Sequence, residues 1–270
     1  MKRQRTRRAA QRAAHALLLL AFAAAGADAA DSGVEPVRAC MEKNLPATSA
    51  KQEIVLESSD ASGSQKLEAE LFWRRAAEKN GRQQVLVRVE QPADLRGSAF
   101  LLLEREGGYD LFSYLPELQK VRRLTGRAIS GSLFGTDFSY EDFERVQSGV
   151  AGSGAERLPD ADVAGRPVWV VAVTPPADAG SAYQRVVSFV DRETCVALRI
   201  DFESEPGRLA KQLLADPAEV RAVAGRYVPH ALVLSDAGQD TRTTLAVRKV
   251  DFDVPLSPSL FSEAALAKGH

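Results

Sequence analysis

The sequence predicts a mainly β (α+β) fold in which one antiparallel sheet curls into a barrel or half-barrel. Roughly a dozen short segments carry strand patterns, and tight turns rather than helices separate most of them. Helical patterns are confined to the beginning, the middle and the tail of the chain. Consecutive strands without crossover helices favour antiparallel pairing.

The clearest strand covers residues 66–74, where apolar side chains alternate with Lys66, Glu68 and Glu70. An Asn80-Gly81 turn and a second alternating strand follow. Residues 100–103 are apolar on both faces, which predicts a central strand with material packed on each side.

Three short helices are expected outside these strands. Residues 33–45 predict the first, and a Ser139-x-x-Asp142 capping box ahead of Phe143 predicts the second. Residues 262–268 predict a frayed C-terminal helix.

Residues 1–29 have the pattern of a Sec signal peptide. Six basic residues precede an apolar run over residues 13–25, and Ala27-Asp28-Ala29 provides the small residues that signal peptidase recognises. A membrane anchor is the alternative, but a spanning helix needs about 20 apolar residues. Because Cys40 lies well downstream of the cleavage site, we expect a soluble periplasmic domain over residues 30–270 without a lipid anchor.

Charge argues against nucleic acid as a partner. The chain has 35 basic and 36 acidic side chains. Removing residues 1–29 takes away six basic side chains and one acidic one, which leaves 29 against 35. Phosphate binding requires an excess of Lys and Arg, which the mature domain lacks.

Cys40 and Cys195 are the two cysteines of the chain. In an oxidising compartment an even pair predicts one disulfide bond. The alternative is a redox-active or nucleophilic pair, but the close spacing and the flanking His or Lys typical of reactive thiols are absent.

Sequence motifs for catalysis are sparse, and we expect neither an enzyme nor a metal or cofactor site. His230 is the single histidine that is neither in the leader nor terminal, and the sequence contains no HExxH or Gly-x-Ser-x-Gly motif. Asp137 and Asp142 leave glycosidase chemistry open, although carboxylates at a helix start are more often caps.

Two segments in the middle of the chain are more specific. Residues 114–124 read Tyr-Leu-Pro-Glu-Leu-Gln-Lys-Val-Arg-Arg-Leu, and residues 131–143 read Gly-Ser-Leu-Phe-Gly-Thr-Asp-Phe-Ser-Tyr-Glu-Asp-Phe. This pattern resembles the outer-membrane lipoprotein-sorting (LolA-like) family, in its longer branch. The likeness extends more loosely to Cys40-Met41-x-x-Asn44-x-Pro46 and to residues 189–194.

The resemblance implies a LolA/LolB-like incomplete β-barrel closed by short helices, with an apolar hollow that shelters acyl chains. It also implies a lipid or acylated lipoprotein as cargo and an inner-membrane exporter of the resistance-nodulation-division (RND) type as partner. We expect a monomer with a lid-like insert at about residues 116–160. The alternative is an accessory subunit that docks on an exporter and carries no ligand.

The resemblance and the aromatic content of the insert together suggest candidate site residues. Cavity or lid positions are Trp73, Phe100, Phe134, Phe138, Tyr140 and Phe143, and the same side chains alternatively form a solid core. Family-motif positions are Tyr114, Pro116, Arg122, Arg123, Gly135, Asp137 and Asp142. We expect Arg122 and Arg123 to pair with Asp137 and Asp142, or alternatively to contact an anionic headgroup.

Overall fold

Thirteen antiparallel strands form one continuous curved sheet whose two edge strands do not pair with each other. The structure is a computed structural model that describes residues 33–60, 63–76, 81–152 and 154–268. The predicted signal peptide and Asn80 of the predicted turn lie outside these residues. The prediction of a mainly β, incompletely closed barrel is confirmed.

The elements follow one another along the chain with few helices. The strands are β1 Ser49–Asp60, β2 Gly63–Arg75, β3 Gln83–Gln91, β4 Ala99–Arg105, β5 Gly108–Leu115, β6 Lys120–Leu124, β7 Ala155–Val163, β8 Arg166–Val173, β9 Arg185–Asp191, β10 Ala197–Glu205, β11 Arg208–Ala215, β12 Val220–Val223, β13 Arg226–Pro229, β14 Ala231–Asp236 and β15 Thr241–Phe252. The α-helices are α1 Val34–Glu42, α2 Tyr140–Ser148 and α3 Glu263–Leu266, and 3-10 turns span Pro116–Leu118, Gly126–Ser130, Pro217–Glu219 and Pro258–Phe261.

The sheet order is β6-β5-β4-β3-β2-β1-β15-β14-β11-β10-β9-β8-β7, and β12 pairs with β13 in a separate hairpin. The pairing of β1 with β15 joins the beginning of the sheet to its end, from Ala50 opposite Phe252 to Ser59 opposite Arg242. The two edge strands, β6 and β7, flank α2 in the sequence, so the segment predicted as an insert begins and ends in the sheet.

The concave face carries the main apolar core. The predicted alternation in β2 places Leu67, Ala69, Leu71 and Trp73 in this core, whereas Phe72 packs on the opposite face. The same split in β4 sends Phe100 to the concave core and Leu101 to the convex cluster. Both faces of β4 are therefore covered, as its sequence predicts.

The convex side of β2–β5 is covered by the C-terminal segment. Phe261 and Leu266 pack against Phe72, Leu86 and Leu101 there. Leu266 is fully buried, and the Ser262 side chain caps α3 by accepting a hydrogen bond from the backbone N–H of Ala265. The predicted C-terminal helix is present as α3, and burial of these two large apolar side chains on the sheet face stabilises it.

Helix α1 lies against β8 and β9 at the other end of the sheet. Val34 and Val37 pack on Val171 and Val190. The predicted disulfide between Cys40 and Cys195 is present, with Cα atoms 5.3 Å apart. None of the helices in the described part of the chain has the length and hydropathy needed to cross a membrane.

Replacing both cysteines, in Cys40→Ser/Cys195→Ser, should lower the free energy of unfolding. The bond joins residues 155 apart, and closing a loop of that length restricts the unfolded chain by about 5 kcal/mol in the chain-entropy model. Denaturant unfolding with and without reductant measures the loss. Reductant should destabilise the unaltered protein and leave the double variant unchanged; equal behaviour of the two proteins would contradict the assignment.

Candidate functional site

Helix α2 begins with a capping box formed by Ser139 and Asp142. The Ser139 hydroxyl accepts from the Asp142 backbone N–H at 3.0 Å, and the Asp142 carboxylate accepts from the Ser139 N–H at 2.7 Å. Both groups satisfy N–H groups that the first turn of a helix leaves unpaired. The capping box predicted from the sequence is confirmed.

The Asp142 carboxylate is the centre of a buried polar network. It is fully buried, and its Oδ2 also accepts from the Lys211 ammonium of β11 at 2.9 Å. Its Oδ1 accepts from the Tyr183 hydroxyl at 2.5 Å. Burial and the neighbouring Asp142 carboxylate raise the pKa of Tyr183, which keeps its hydroxyl protonated as a donor. A buried charge with these partners fixes the helix against two distant parts of the sequence.

Two further carboxylates fasten the same segment. Asp137 accepts from the hydroxyls of Thr241 and Thr243 on β15, at 2.5 and 2.6 Å. Glu141 accepts from the Ser181 hydroxyl and, at 2.9 Å, from the Ala182 N–H. The segment is thus tied to β15, β11 and the loop before β9.

These contacts correct the expected partners of Arg122 and Arg123. Arg123 donates instead to Asp110 at 2.5 Å, and Arg105 donates to the same carboxylate. These two guanidinium groups lower the pKa of Asp110. Arg122 is exposed and has no ion-pair partner among the described residues. The two arginines lie on an edge strand, whereas Asp137 and Asp142 face the barrel interior. There, Asp142 accepts from Lys211, and Asp137 accepts from two threonine hydroxyls.

The aromatic residues of the candidate set form a packed core rather than an open chamber. The Phe100 ring lies 5.1 Å from the Tyr140 ring and 5.6 Å from the Phe143 ring, the second pair edge to face. Phe134 and Phe138 are buried beside them, and Trp73 donates to Gln83 Oε1 at 3.2 Å. The void lined by Phe134, Phe138 and Phe143 has a volume of about 10 Å³, roughly enough for one water.

The remaining motif residues support this arrangement. Gly135 has a φ of 79°, and a Cβ there would approach Gln65 Oε1 to 3.0 Å, so a side chain at this position is strained and crowded. Tyr114 packs on the convex cluster. Pro116 starts the turn that leads from β5 into β6.

An open apolar pocket of about 250 Å³ lies beside α2. Its floor includes Ile200, Leu213 and Leu232, and the Cys195 half of the disulfide forms part of its wall. Further walls come from α1 and the loop after it, from α2 and the residues that follow it, from the start of β10 and from β13. The apolar residues there are Met41, Leu45, Val146, Val150, Val196, Ala197, Tyr227 and Pro229. At about 30 Å³ per water the volume corresponds to roughly eight waters, and a chain of a few methylene groups occupies similar space.

Two polar residues that line this pocket are Ser188 and Arg38. Ser188 of β9 is 2% exposed. Arg38 lines the mouth, and its buried Nε–H has no acceptor, although its Nη1 donates to Glu35 at 3.0 Å. A ligand with an apolar chain and a hydrogen-bonding group would satisfy both the apolar walls and the Arg38 Nε–H.

Sequence analysis missed the residues that hold α2. Lys211, Tyr183, Thr241 and Thr243 are outside the recognised motifs. One signal was available, since Lys211 interrupts the apolar alternation of Leu209, Leu213 and Ala215 on one strand face. A charged residue at such a position indicates a buried partner, but the strand pattern does not tell which carboxylate it binds.

Known proteins resemble this chain in fold. A family model described as "Uncharacterized protein" matches residues 81–268. A DUF1329 family protein from Desulfovibrio piger ATCC 29098 superposes with a TM-score of 0.78 at 20% identity, over 87% of this chain and 98% of that one. No curated protein matches the chain.

Two further solved structures have related names. An outer membrane lipoprotein-sorting protein domain from Vibrio parahaemolyticus superposes with a TM-score of 0.74 at 23% identity, over 87% of this chain and 98% of that one. A LolA superfamily protein from Nitrosomonas europaea superposes with a TM-score of 0.67 at 18% identity, over 86% and 98%. The chain therefore has the LolA-like fold.

Replacing Lys211 with Met should destabilise the protein by about 3–5 kcal/mol, because it leaves the buried Asp142 carboxylate without its cation. Denaturant unfolding measures the loss. The matched control is Lys249→Met, whose ammonium pairs with Asp251 at the surface, and a far smaller loss is expected there. A double variant with Asp142→Asn should lose less than the sum of the single variants; strict additivity would count against the pair.

Replacing Glu144 with Gln should stabilise the protein at neutral pH. Burial raises the pKa of Glu144 above its ordinary value of 4.5, although Arg145 opposes the shift. The unfolded chain loses this proton first, so the contribution of Glu144 to stability is fully present below pH 4.5 and is lost as the pH rises through its folded-state pKa. The gain should therefore vanish in acid. Exposed Glu57→Gln is the control, and an equal gain for it at neutral pH would refute the explanation.

Proposed function

We propose that this chain, which belongs to the family described as "Uncharacterized protein", carries a lipid or the acyl chains of a lipoprotein. The LolA-like fold is the starting point for this proposal. The observation that carries the proposal is the apolar pocket of about 250 Å³ beside α2. Its position between the concave sheet face and the helices leaves one side accessible to a ligand.

The size of the pocket supports a single apolar chain as the resident group. Ligand pockets for larger molecules usually have volumes of about 300–1,000 Å³, so three acyl chains would require α2 to move. Arg38 supplies an unpaired N–H donor for a polar group next to the chain. The ligand class we infer is an amphipathic molecule with one acyl chain in the pocket.

We place this activity in the periplasm, where the predicted signal peptide would deliver the chain as a soluble monomer. An RND-type exporter in the inner membrane is the partner that the sequence resemblance implies. A carrier role needs neither catalysis nor a cofactor. The hydrogen bonds that Asp137 and Asp142 accept assign both carboxylates a structural role.

A second candidate, an accessory subunit without cargo, is favoured by one observation. The aromatic residues around α2 leave a void of only about 10 Å³, which is too small for an acyl chain. The accessory subunit and the carrier differ in what occupies the pocket beside α2, and ligand content distinguishes them.

Native mass spectrometry of protein purified from its own cell envelope should show bound lipid. Ala197→Trp fills the pocket from its partly buried wall and should remove that lipid without changing the fold. The control is Ala246→Trp, a partly buried position of β15 outside the pocket. Phe134→Asp is unsuitable, because Phe134 is buried in the core and a charge there would unfold the protein.

Loss of lipid in the pocket variant together with retention in the control supports the carrier. If the unaltered protein consistently contained no lipid, the carrier proposal would be contradicted and the accessory subunit would be favoured. Lipid bound equally to both tryptophan variants would place the ligand elsewhere in the barrel.

A further inference from the structure

The edge strand β6 and the 3-10 turn after it carry basic side chains without acidic partners among the described residues. Lys120, Arg122 and Arg127 are exposed, and none has an acidic partner among the described residues. Residues 114–131 contain four basic side chains and a single acidic one, Glu117. A local excess of this kind is notable in a chain whose residues 30–270 are acidic overall.

Sheet register sets the direction of these side chains. Lys120 is opposite Leu115 and Arg122 is opposite Ser113, so both project from the face of β6 that also carries Leu124. Leu124 packs on the concave core, whereas Val121 packs on the convex cluster. Residues two apart on a strand are roughly 7 Å apart, so the two cations form a short row along the open edge.

An exposed apolar residue immediately precedes the row. Leu118, in the turn Pro116–Leu118, is 47% exposed and is the most exposed large hydrophobic residue among those described. In the described part of the chain, no strand pairs with the outer side of β6. The basic edge, defined here as residues 116–127, therefore joins an apolar tip, a row of cations and an unpaired strand.

We propose that the basic edge binds the surface of an anionic phospholipid bilayer. Lys and Arg near such a surface are attracted to its phosphates, and a leucine beside them enters the interfacial region. An acidic peptide added as an extra strand is the competing partner for an open edge. With five residues β6 offers a short template, and such pairing would not use Leu118. The inference goes beyond ligand binding, because it assigns the part of the chain that meets a membrane.

Vesicle flotation with the full protein tests the inference. Vesicles that contain phosphatidylglycerol should bind the protein, whereas vesicles of phosphatidylcholine alone should not, and added salt should weaken binding. Each cation near an anionic surface contributes about fivefold to partitioning. Lys120→Glu/Arg122→Glu should therefore reduce binding at least about thirtyfold, and Leu118→Ser should reduce it further.

The matched control is Arg242→Glu/Arg248→Glu. It makes the same change in net charge at two exposed arginines of β15, which also lack acidic partners among the described residues. An equal loss of binding in this control would overturn the proposal, because net charge alone would then explain it. If the unaltered protein did not bind anionic vesicles, the proposal would also be overturned. An acidic peptide that pairs with β6 as an extra strand would then be the favoured partner.

Failure here is distinguishable from failure of the carrier proposal. Lipid in the pocket is measured by mass spectrometry, and the basic edge variants should retain it. A protein that is empty but binds anionic vesicles would refute the carrier and support the basic edge; a lipid-loaded protein that ignores vesicles would do the reverse.

Discussion

The buried contact of Asp142 with Lys211 and Tyr183 is the constraint on which this architecture depends. An open barrel leaves the apolar concave face of its sheet exposed unless another element covers it. Helix α2 covers it, but at nine residues it is too short to be stable alone. Its position therefore depends on contacts at its first turn, where three carboxylates bind groups from β15, β11 and the loop before β9. The aromatic rings of the helix can then pack as a fixed core.

The same anchoring divides the concave face into two regions of different character. Beneath the start of α2, aromatic rings fill the space against β4 and leave almost no void. Beside its end, the small residues Gly149 and Ala151 and the wall that the disulfide fastens leave a pocket. In the carrier role proposed above, a ligand would enter the free volume and leave the main core unchanged, since a close-packed interior tolerates little inserted volume.

Incomplete closure of the barrel also leaves two unpaired edge strands, β6 and β7. Unpaired edge strands invite association, and proteins commonly protect them with charge, proline or bulges. Strand β7 carries Pro159 and a register shift between Leu158 and Ala161, which suits a protected edge. Strand β6 has neither, and its cations stand next to an exposed leucine. Because charge alone also protects an edge, the exposed leucine beside the cations is the feature that supports the proposed binding role of β6.

The sequence by itself determined the strands, the capping box at Ser139, the cysteine pair and the fold class, because each follows from local alternation, a local hydrogen bond or composition. It did not determine what Asp142 binds or whether Phe134 and Phe143 form a lid or a core. Those outcomes depend on residues about 40 to 70 positions away, such as Tyr183 and Lys211, which only the sheet order brings together. Arg123 pairs with Asp110 instead of Asp137 because β5 and β6 are adjacent strands, which brings the two side chains together. The C-terminal helix α3 also depends on tertiary contacts, because a four-residue helix is stable only when it packs on the sheet face that it covers.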